Sequence, residues 1–440
     1  MQVSRKKYDV VVIGGGIAGI YTAISVAENG FSVLIVEENP LSEGNFLNKE
    51  YDFQYLYDLT LTLSDVQNKK RDGIQLKEMS LRFDKLAENK KAKKEALIAA
   101  IRDRLASLGV EVLQGFAQML DNSRIDVHHQ GRSTGLYANN VVIATGCKSV
   151  LKEQFAAVPG LTTLEELFSM MKIPGELLLI GGGIKAYEIA GVYSFFGSRV
   201  TIVQPNKTEM VLLEDGQLQQ IEDRLRLQGV SHYPYSKIQD IYRDSSGNYH
   251  LEIWQEGEID SKHLRTEVLT ALPEDSSRLE GLLGIQPDMT GQHLFVNNRM
   301  QTSVENVYAI GSVIGKGENL EMMAEMAQVI AENISGNPKE IDYQNQVFST
   351  KTLPQTALVG LTETQARNFC EDVVIEKYPT EKVGEDLQVQ LVSDKKYGEI
   401  LGVSASGKGA EAIIKIAKAY KELEYTRREL LPHLLGVLFA

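Results

Sequence analysis

The segment from Tyr8 to Glu37 constrains the fold more strongly than any other part of the chain. It opens with a short apolar run, Asp9 to Ile13, whose valines and isoleucine are typical of a buried parallel strand. Three glycines follow at G-x-G-x-x-G spacing: Gly14, Gly16 and Gly19. A helical run and a second apolar strand come next. The segment therefore predicts a βαβ unit with a glycine-rich first turn.

The glycine spacing is that of a turn that binds a dinucleotide. Gly14 permits the tight turn, Gly16 lets a pyrophosphate approach the backbone, and Gly19 lets the helix pack closely on the strand. The helix N-terminus directs free N–H groups towards that pyrophosphate. Glu37 ends the second strand, where its carboxylate can bond both hydroxyls of a ribose. Together these features favour a dinucleotide site over a glycine-rich turn without a ligand.

A second βαβ unit repeats the pattern between Glu176 and Gln204. Its apolar strand is followed at G-x-G-x-x-A spacing by Gly181, Gly183 and Ala186. This spacing indicates a second dinucleotide site. The second strand ends in Gln204 rather than in an acid, and Lys207 lies nearby. Gln204 can bond a ribose hydroxyl and does not repel a 2′-phosphate. The sequence therefore leaves NADH, NADPH and a degraded nucleotide site all open.

The composition narrows the remaining possibilities. The 440 residues correspond to about three domains at the usual ~150 residues each. The formal net charge of −13 argues against a nucleic-acid or anionic-membrane partner. No apolar run approaches the ~18 residues that a membrane span needs, and we expect neither an export signal nor a metal site. Cys147 and Cys370 are the only cysteines, so we expect no disulfide framework and a cytoplasmic protein.

Other stretches add detail to this outline. A strand that ends in Thr145 and Gly146 places small residues where the chain must pass close to a dinucleotide. Cys147 comes next, and a buried small residue is favoured there over a reactive thiol. A charged amphipathic helix is predicted from Leu81 to Leu108, with Lys90 to Lys94 on a solvated face.

These motifs and three further segments carry a resemblance to a known family. The segments are Asn-Val-Tyr-Ala-Ile-Gly at 306–311, Val-Gly-Leu-Thr-Glu-Thr-Gln-Ala at 359–366 and Glu-Ile-Leu-Gly at 399–402. Over nearly its whole length the chain resembles the pyridine nucleotide-disulfide oxidoreductases, the group of dihydrolipoamide dehydrogenase, glutathione reductase and mercuric reductase. The implied fold class is α/β, with two Rossmann-like dinucleotide-binding domains and a C-terminal α+β dimerisation domain.

The resemblance also implies domain boundaries, cofactors and site residues. An FAD-binding domain would cover residues 1–150 and 273–341, an NAD(P)-binding domain 151–272, and an interface domain of a homodimer 342–440. The residues expected to serve FAD are Gly14, Gly16, Gly19, Glu37, Thr145, Gly146 and Gly311. On the NAD(P)H side the expected residues are Gly181, Gly183 and Glu188, the last matching the acid of the family's Gly-Gly-Gly-x-x-Gly-x-Glu.

Several positions depart from the family pattern. The family's C-x-x-x-x-C redox pair falls on Asn45 and Glu50, and neither can supply the thiolate that disulfide exchange requires. Ser312 stands where the family has an aspartate that bonds the FAD ribityl chain. His433 has lost the carboxylate that orients the family's catalytic histidine, so a packed or surface role is favoured. Lys185 replaces an apolar residue beside the nicotinamide.

Two functions are compatible with this mixture of matches and losses. The first is an FAD-dependent NAD(P)H oxidoreductase that reduces a small-molecule acceptor directly from the flavin, in a space lined by Glu50 and nearby tyrosines. The aromatic residues between Tyr51 and Tyr57 either line such a cleft or pack together. The second is a non-catalytic nucleotide-binding sensor or assembly subunit. Lys185 and Glu188 lie three residues apart on one helix and can share a face, where the lysine either keeps the pocket open or blocks it.

Overall fold

A computed structural model gives the structure of the chain. It describes residues 6–40, 51–69, 82–149, 158–170, 172–205, 213, 215–255, 257–258, 260–272, 275–277, 279–282, 284–316, 319–370, 372–379 and 387–439. Within these ranges, none of the helices has the length and apolar character that crossing a membrane would require.

Strands and helices are numbered in chain order. The strands are β1 Lys6–Ile13, β2 Val33–Glu37, β3 Glu111–Gln114, β4 Phe116–Met119, β5 Arg124–His129, β6 Arg132–Ile143, β7 Cys147–Ser149, β8 Glu176–Ile180, β9 Arg199–Gln204, β10 Ser231–Pro234, β11 Ser236–Arg243, β12 Tyr249–Gln255, β13 Lys262–Thr266, β14 Val268–Ala271, β15 Asp275–Ser277, β16 Val307–Ala309, β17 Val347–Ser349, β18 Thr356–Gly360, β19 Val373–Pro379, β20 Gln388–Asp394 and β21 Ile400–Ser406. The helices are α1 Ile17–Glu28, α2 Tyr51–Lys69, α3 Phe83–Ser107, α4 Leu164–Ser169, α5 Ile184–Phe195, α6 Asp215–Leu227, α7 Leu320–Ile334, α8 Glu363–Phe369, α9 Ala410–Glu422 and α10 Arg427–Phe439.

The first compact unit comprises Met1–Gln54, Arg82–Gln154 and Pro273–Asp342. Its main sheet has the order β3-β2-β1-β6-β5-β4, and β16 also pairs with β6. Strand β1 runs parallel to β2 and β6, whereas β4 and β5 form an antiparallel extension. The apolar run of β1 is buried as the sequence predicts, because helices such as α1 cover a parallel sheet. Helix α1 also packs against α7.

The second compact unit comprises Tyr55–Leu81, Phe155–Leu272 and Tyr343–Ala440. One of its sheets, β10-β9-β8-β14, is parallel throughout, and β11-β12-β13 forms an antiparallel sheet. The C-terminal part has an antiparallel sheet of order β17-β18-β21-β20-β19. Apolar residues of α9 fill the core against β18, β20 and β21. The division into four sequence segments at 150, 272 and 341 stays a prediction.

One surface assignment from the sequence is wrong. The helix predicted from Leu81 to Leu108 is present as α3, but two of its lysines are not on a solvated face. Lys90 and Lys94 point at Asp52, with Nζ–O distances of 3.1 and 3.5 Å, and all three side chains are mostly buried. A buried carboxylate requires a compensating positive charge. Lys90 and Lys94 supply that charge to Asp52, and their side chains are therefore buried.

Candidate functional site

The first glycine loop joins β1 to α1 and needs glycine at two positions for steric reasons. Gly14 adopts φ +112°, and its N–H donates to Val36 O at 2.8 Å. A Cβ on Gly14 would lie 2.2 Å from Ala144 O, and one on Gly19 would lie 2.0 Å from Gly14 O. Both positions therefore require glycine so that β1, β6 and α1 can approach one another.

Gly16 has a different role in the same loop. It is the N-cap of α1 in an extended conformation, with φ −68° and ψ 178°, which any residue can adopt. A Cβ there would meet no protein atom within 4 Å, so the space in front of the helix N-terminus is open. Free N–H groups at a helix N-terminus beside open space fit a pyrophosphate.

Glu37 lies at the edge of this loop. Its Oε1 accepts a hydrogen bond from Asn39 N–H at 3.1 Å, and its Oε2 accepts one from Gly15 N–H. Both bonds hold the carboxylate beside the glycines at the carboxyl end of β2, the edge at which open α/β sheets bind ligands.

Thr145, Gly146, Gly311 and Ser312 follow the neighbouring strands β6 and β16. Strand β6 is bonded to β1 and to the segment after β16, since Ala144 N–H donates to Ile13 O and Ile310 N–H to Ile143 O. Gly311, at φ +82°, lies against α1, where its Cβ would be 2.9 Å from Ala18 Cβ.

Cys147 is half-buried rather than fully buried, and its thiol donates to Ser312 O at 2.7 Å. The structure thus places Thr145, Gly146, Cys147, Gly311 and Ser312 beside the first glycine loop.

The second glycine loop joins β8 to α5 and repeats the backbone hydrogen bonds of the first. Gly181 N–H donates to Val203 O at 2.8 Å, and Leu272 N–H donates to Ile180 O at 2.7 Å. A Cβ on Gly181 would lie 2.7 Å from Leu272 Cβ. Gly183, with φ 83°, is the N-cap of α5, and Ala186 is fully buried behind it.

Gln204 is buried at the end of β9, and its side chain lies on the loop. A Cβ on Gly182 would be 2.4 Å from Gln204 Cδ. His232, on the adjacent strand β10, bonds Gln204 Oε1 through Nε2 at 3.0 Å. Burial lowers the pKa of His232, an effect that Glu222 opposes. Sequence reasoning missed His232, because only the pairing of β9 with β10 brings it to this loop.

Tyr187 completes the group around His232. Its ring meets the imidazole edge-on, with centroids 5.7 Å apart and an interplanar angle of 85°. Its hydroxyl donates to Glu222 Oε1 at 2.9 Å. Burial, followed by the charge of Glu222, raises the pKa of Tyr187 well above its usual range, so the hydroxyl stays protonated and can donate.

Lys185 and Glu188 share a face of α5, and Lys185 Nζ lies 3.7 Å from Glu188 Oε2. The other carboxylate oxygen accepts a hydrogen bond from Lys351 N–H at 2.7 Å. The Glu188 side chain is only 9% exposed, so both contacts compensate a nearly buried charge. Burial, and then the charge of Glu188, raise the pKa of Tyr57 far above its usual range. Lys351 donates from its backbone, a role that no sequence motif could have predicted.

The remaining sequence predictions have mixed outcomes. Asn45, Glu50 and Lys207 lie outside the described residues. Tyr57 is buried, which favours packed aromatics over a cleft at that position. His433 is exposed, and its ring lies 5.3 Å from that of Tyr420. Among the described residues, no group of three or more His, Cys, Asp or Glu side chains could hold a metal ion.

A cavity of about 760 Å³ lies elsewhere in the second unit. Its wall includes Glu176, Arg199 and Val268, which begin β8, β9 and β14. It is therefore at the amino ends of these parallel strands, opposite the glycine loop. Because open α/β sheets bind ligands at their carboxyl ends, this cavity is not the candidate nucleotide site.

Comparison with known proteins is consistent with the two glycine loops being dinucleotide-binding motifs. The family model "Pyridine nucleotide-disulphide oxidoreductase" matches residues 8–331, and the dimerisation-domain model of the same family matches residues 348–434. Dihydrolipoyl dehydrogenase of Bacillus subtilis strain 168 is 26% identical over 432 residues, which cover 95% of this chain and 93% of that protein. Dihydrolipoyl dehydrogenase of Buchnera aphidicola is 27% identical over 429 residues, covering 93% and 89%.

The solved structures support the fold class. The Cu(II) complex of the HOCl-induced flavoprotein disulfide reductase RclA from Escherichia coli has a TM-score of 0.80 at 21% identity, covering 96% of this chain and 94% of that one. The predicted two Rossmann-like domains and C-terminal dimerisation domain are thereby confirmed, and the last of these supports a homodimer. The cofactors are FAD and NAD(P)H, as the resemblance implied. The chain belongs to the pyridine nucleotide-disulphide oxidoreductase family.

Proposed function

We propose that the chain is an FAD-dependent NAD(P)H oxidoreductase that reduces a small acceptor directly from the flavin, without a thiol relay. The observation that carries this proposal is the combination of two intact glycine loops with only two cysteines. Both cysteines, Cys147 and Cys370, are described, and neither forms a disulfide. A C-x-x-x-x-C relay needs two thiols close together in sequence, and the chain offers none at Asn45 and Glu50.

In this proposal the first loop and its neighbours hold FAD. The open space at Gly16 admits the pyrophosphate to the N-terminus of α1, and the oriented Glu37 carboxylate accepts hydrogen bonds from the adenosine ribose. The small turns at Thr145–Gly146 and Gly311–Ser312 leave room for the remainder of the cofactor. Bound FAD supplies the capacity to take a hydride from NAD(P)H and to return electrons to an acceptor.

The second loop holds NAD(P)H through Gly181, Gly183, Ala186 and Gln204. Glu188 has the positioning role, because Lys351 N–H and Lys185 Nζ fix the direction of its carboxylate. Lys185 keeps the pocket polar and open. The acceptor is a quinone, oxygen or a comparable small molecule, and the sequence alone assigns Glu50 to it.

The assembly and location belong to the same proposal. The acting form is a homodimer joined through residues 342–440, the part that contains the match to the dimerisation-domain model. A cytoplasmic location fits two cysteines that form no disulfide, because disulfides are rare in a reducing compartment.

Anaerobic mixing with NADH or NADPH tests the proposal through the flavin absorbance. We expect bleaching within seconds in the native protein and slower bleaching in Glu188→Ala. Glu252→Ala is a matched control, because Glu252 lies on β12, where its Oε1 accepts a hydrogen bond from Ser261. If dithionite bleaches the flavin of the native protein but neither NADH nor NADPH bleaches it, the proposal is contradicted.

A non-catalytic nucleotide sensor is the alternative, and one observation favours it. Both oxygens of Glu188 already have partners within this chain, so the carboxylate needs no bound ligand to compensate its charge. In this alternative Lys185 blocks the nicotinamide position, and the nucleotide binds without reacting. Lys185→Ile would then restore some flavin reduction by NADH or NADPH, whereas in the open pocket the same substitution would not speed it.

A further inference from the structure

We propose that the cavity at the amino ends of β8, β9 and β14 binds a small phosphate ester, a ligand distinct from the dinucleotides of the two glycine loops. Arg243 binds the phosphate group. The carboxylate of Glu267 accepts a hydrogen bond from a hydroxyl group on the carbon skeleton of the ligand. This second site is independent of the proposed oxidoreductase activity.

The cavity has the size of a small-molecule site. Its volume of about 760 Å³ falls in the range of about 300–1,000 Å³ that is usual for ligand pockets. Besides the strand starts, its wall includes Gly160 and Thr162 from the segment before α4, and residues 246–248 from the turn between β11 and β12. The cavity is therefore built by several elements of the second unit, not by the bare edge of a parallel sheet.

The charged side chains of the wall favour an anion. They are Arg199, Arg243, Arg265, Glu176 and Glu267. Three positive and two negative groups give the wall a formal charge of +1, whereas the whole chain carries −13. Glu176 Oε1 bonds Arg199, and its Oε2 lies 3.8 Å from Arg265 Nη1. One carboxylate thus compensates two guanidinium groups, which leaves an excess of positive charge in the wall.

Arg243 is the arginine of the wall that the fold orients without a carboxylate. Its Nε donates to Gly247 O at 2.9 Å, and its Cζ lies 5.1 Å from the centre of the Tyr249 ring. That ring is fixed in turn, because the Tyr249 hydroxyl donates to Pro159 O at 3.1 Å. Among the residues that the structure describes, Arg243 forms no ion pair with a carboxylate. Its two Nη groups are therefore available to an anion in the cavity.

Two glycines enclose this guanidinium group. A Cβ on Gly160, at φ +73°, would lie 2.7 Å from Arg243 Nη1, and one on Gly247, at φ +88°, would lie 3.6 Å from Nη2. The backbone thus passes close to both Nη groups and restricts where they can lie. A guanidinium that is already held in place loses less conformational entropy on binding than a mobile surface arginine does.

The two ends of the ligand follow from this arrangement. A guanidinium with two Nη donors matches the oxygens of a phosphate, and a phosphate monoester carries about −1.5 to −2 charges at pH 7. Glu267 Oε2 accepts a hydrogen bond from Gly175 N–H at 3.0 Å, which fixes the carboxylate at the wall. A carboxylate accepts hydrogen bonds, so it complements a hydroxyl group. A phosphorylated polyol or sugar supplies both groups and fills more of the cavity than free phosphate.

Isothermal titration calorimetry of the full-length flavoprotein with glycerol 3-phosphate tests this site, in a buffer without phosphate or sulfate. We expect saturable binding of one molecule per chain, unchanged by saturating NAD⁺ or NADP⁺. Arg243→Met should weaken binding about tenfold or more, the effect of losing a charge-assisted hydrogen bond. Arg243→Lys should recover part of the affinity, because an ammonium group keeps the charge but lacks the two-pronged geometry.

Inorganic phosphate is the second probe and separates the ester from the phosphate alone. We expect it to bind about tenfold more weakly than glycerol 3-phosphate, since it lacks the hydroxyl group that reaches Glu267. Glu267→Ala should bring the two dissociation constants close together. Arg367→Met is the matched control for net charge, because Arg367 bonds Glu363 on α8, outside the wall, and it should keep the native affinities.

Four results would overturn the inference. They are absence of binding by either probe at millimolar concentration, native affinity in Arg243→Met, equal weakening in Arg367→Met, and displacement of glycerol 3-phosphate by NAD⁺ or NADP⁺. Equal native affinities for the two probes would refute the assignment of an ester. If Arg243→Met does not fold, Arg243→Lys decides, and native affinity in that variant refutes the role of the guanidinium. None of these measurements uses flavin reduction, so their failure leaves the proposed oxidoreductase activity standing.

Discussion

Replacing Gly16 with alanine separates the stability of the first unit from its affinity for FAD. Gly16 has an ordinary extended backbone and no protein atom within 4 Å of the position that a Cβ would take. The new methyl group therefore meets no protein atom, but it occupies the space through which a pyrophosphate reaches the N-terminus of α1. We expect Gly16→Ala to fold normally and to bind FAD poorly.

The size of both effects follows from this geometry. Alanine at an unstrained position lowers the entropy of the unfolded chain and adds about 0.4–1 kcal/mol of stability. Alanine is a poorer N-cap than glycine and removes about the same amount. The stability of the apoprotein should thus change by less than about 1 kcal/mol. Loss of one hydrogen bond to the charged pyrophosphate costs about 1.5–3 kcal/mol, which weakens FAD binding roughly 10- to 100-fold.

The assay measures FAD content after purification, the FAD dissociation constant by fluorescence on reconstitution, and the melting temperature of the apoprotein by circular dichroism. Gly216→Ala is the matched control, since Gly216 also faces open space without a positive φ, on α6 of the second unit. It should change neither FAD content nor affinity. If Gly16→Ala binds FAD as tightly as the native protein, this loop is not the FAD pyrophosphate site. If the Gly16→Ala apoprotein is unfolded, the argument that the new methyl group meets no protein atom is wrong.

Four further predictions follow from the same structure. Light scattering at micromolar concentration should give about twice the 48.9 kDa of one chain, and a stable monomer would argue against residues 342–440 as an interface. Two-electron reduction should bleach the flavin without a long-wavelength thiolate–flavin band, whose appearance would restore the thiol relay. Gly181→Ala should abolish nicotinamide nucleotide binding, because its Cβ would overlap Leu272 at a φ of +130°; unchanged binding in calorimetry would contradict this. His250 Nε2–H lowers the pKa of Asp244 to about 2, so their bond should stabilise the fold above the ordinary pKa of 3.8 and lose its effect as the pH falls through 2; Asp244→Asn should flatten this part of an acid-unfolding curve.

The sequence predicts both glycine loops because their backbone geometry depends on residues a few positions apart. Gly14 and Gly181 make equivalent N–H···O bonds at equal distance, as two copies of one motif should. The partners of the site residues could not be predicted in this way. Glu188 bonds Lys351, which lies 163 residues away, and Gln204 bonds His232 only because β10 lies beside β9.

The buried cluster around Asp52 shows the same limit. Helical periodicity places Lys90 and Lys94 on the charged face of α3, but it cannot reveal that a carboxylate from another helix is buried against that face. A charge pattern alone predicts that the lysines are exposed to solvent. Only the contact with Asp52 in the folded chain shows that two of them are buried.

The discontinuous first unit has a consequence for biosynthesis. Strand β16, which bonds to β6, and helix α7, which packs on α1, both lie after the entire parallel sheet of the second unit. While residues 158–272 leave the ribosome, β6 still lacks its β16 neighbour and the face of α1 that α7 covers is bare. The N-terminal segments of this unit therefore stay incomplete until β16 (Val307–Ala309) and α7 (Leu320–Ile334) have also emerged, and the apolar surface exposed until then favours aggregation or binding by a chaperone.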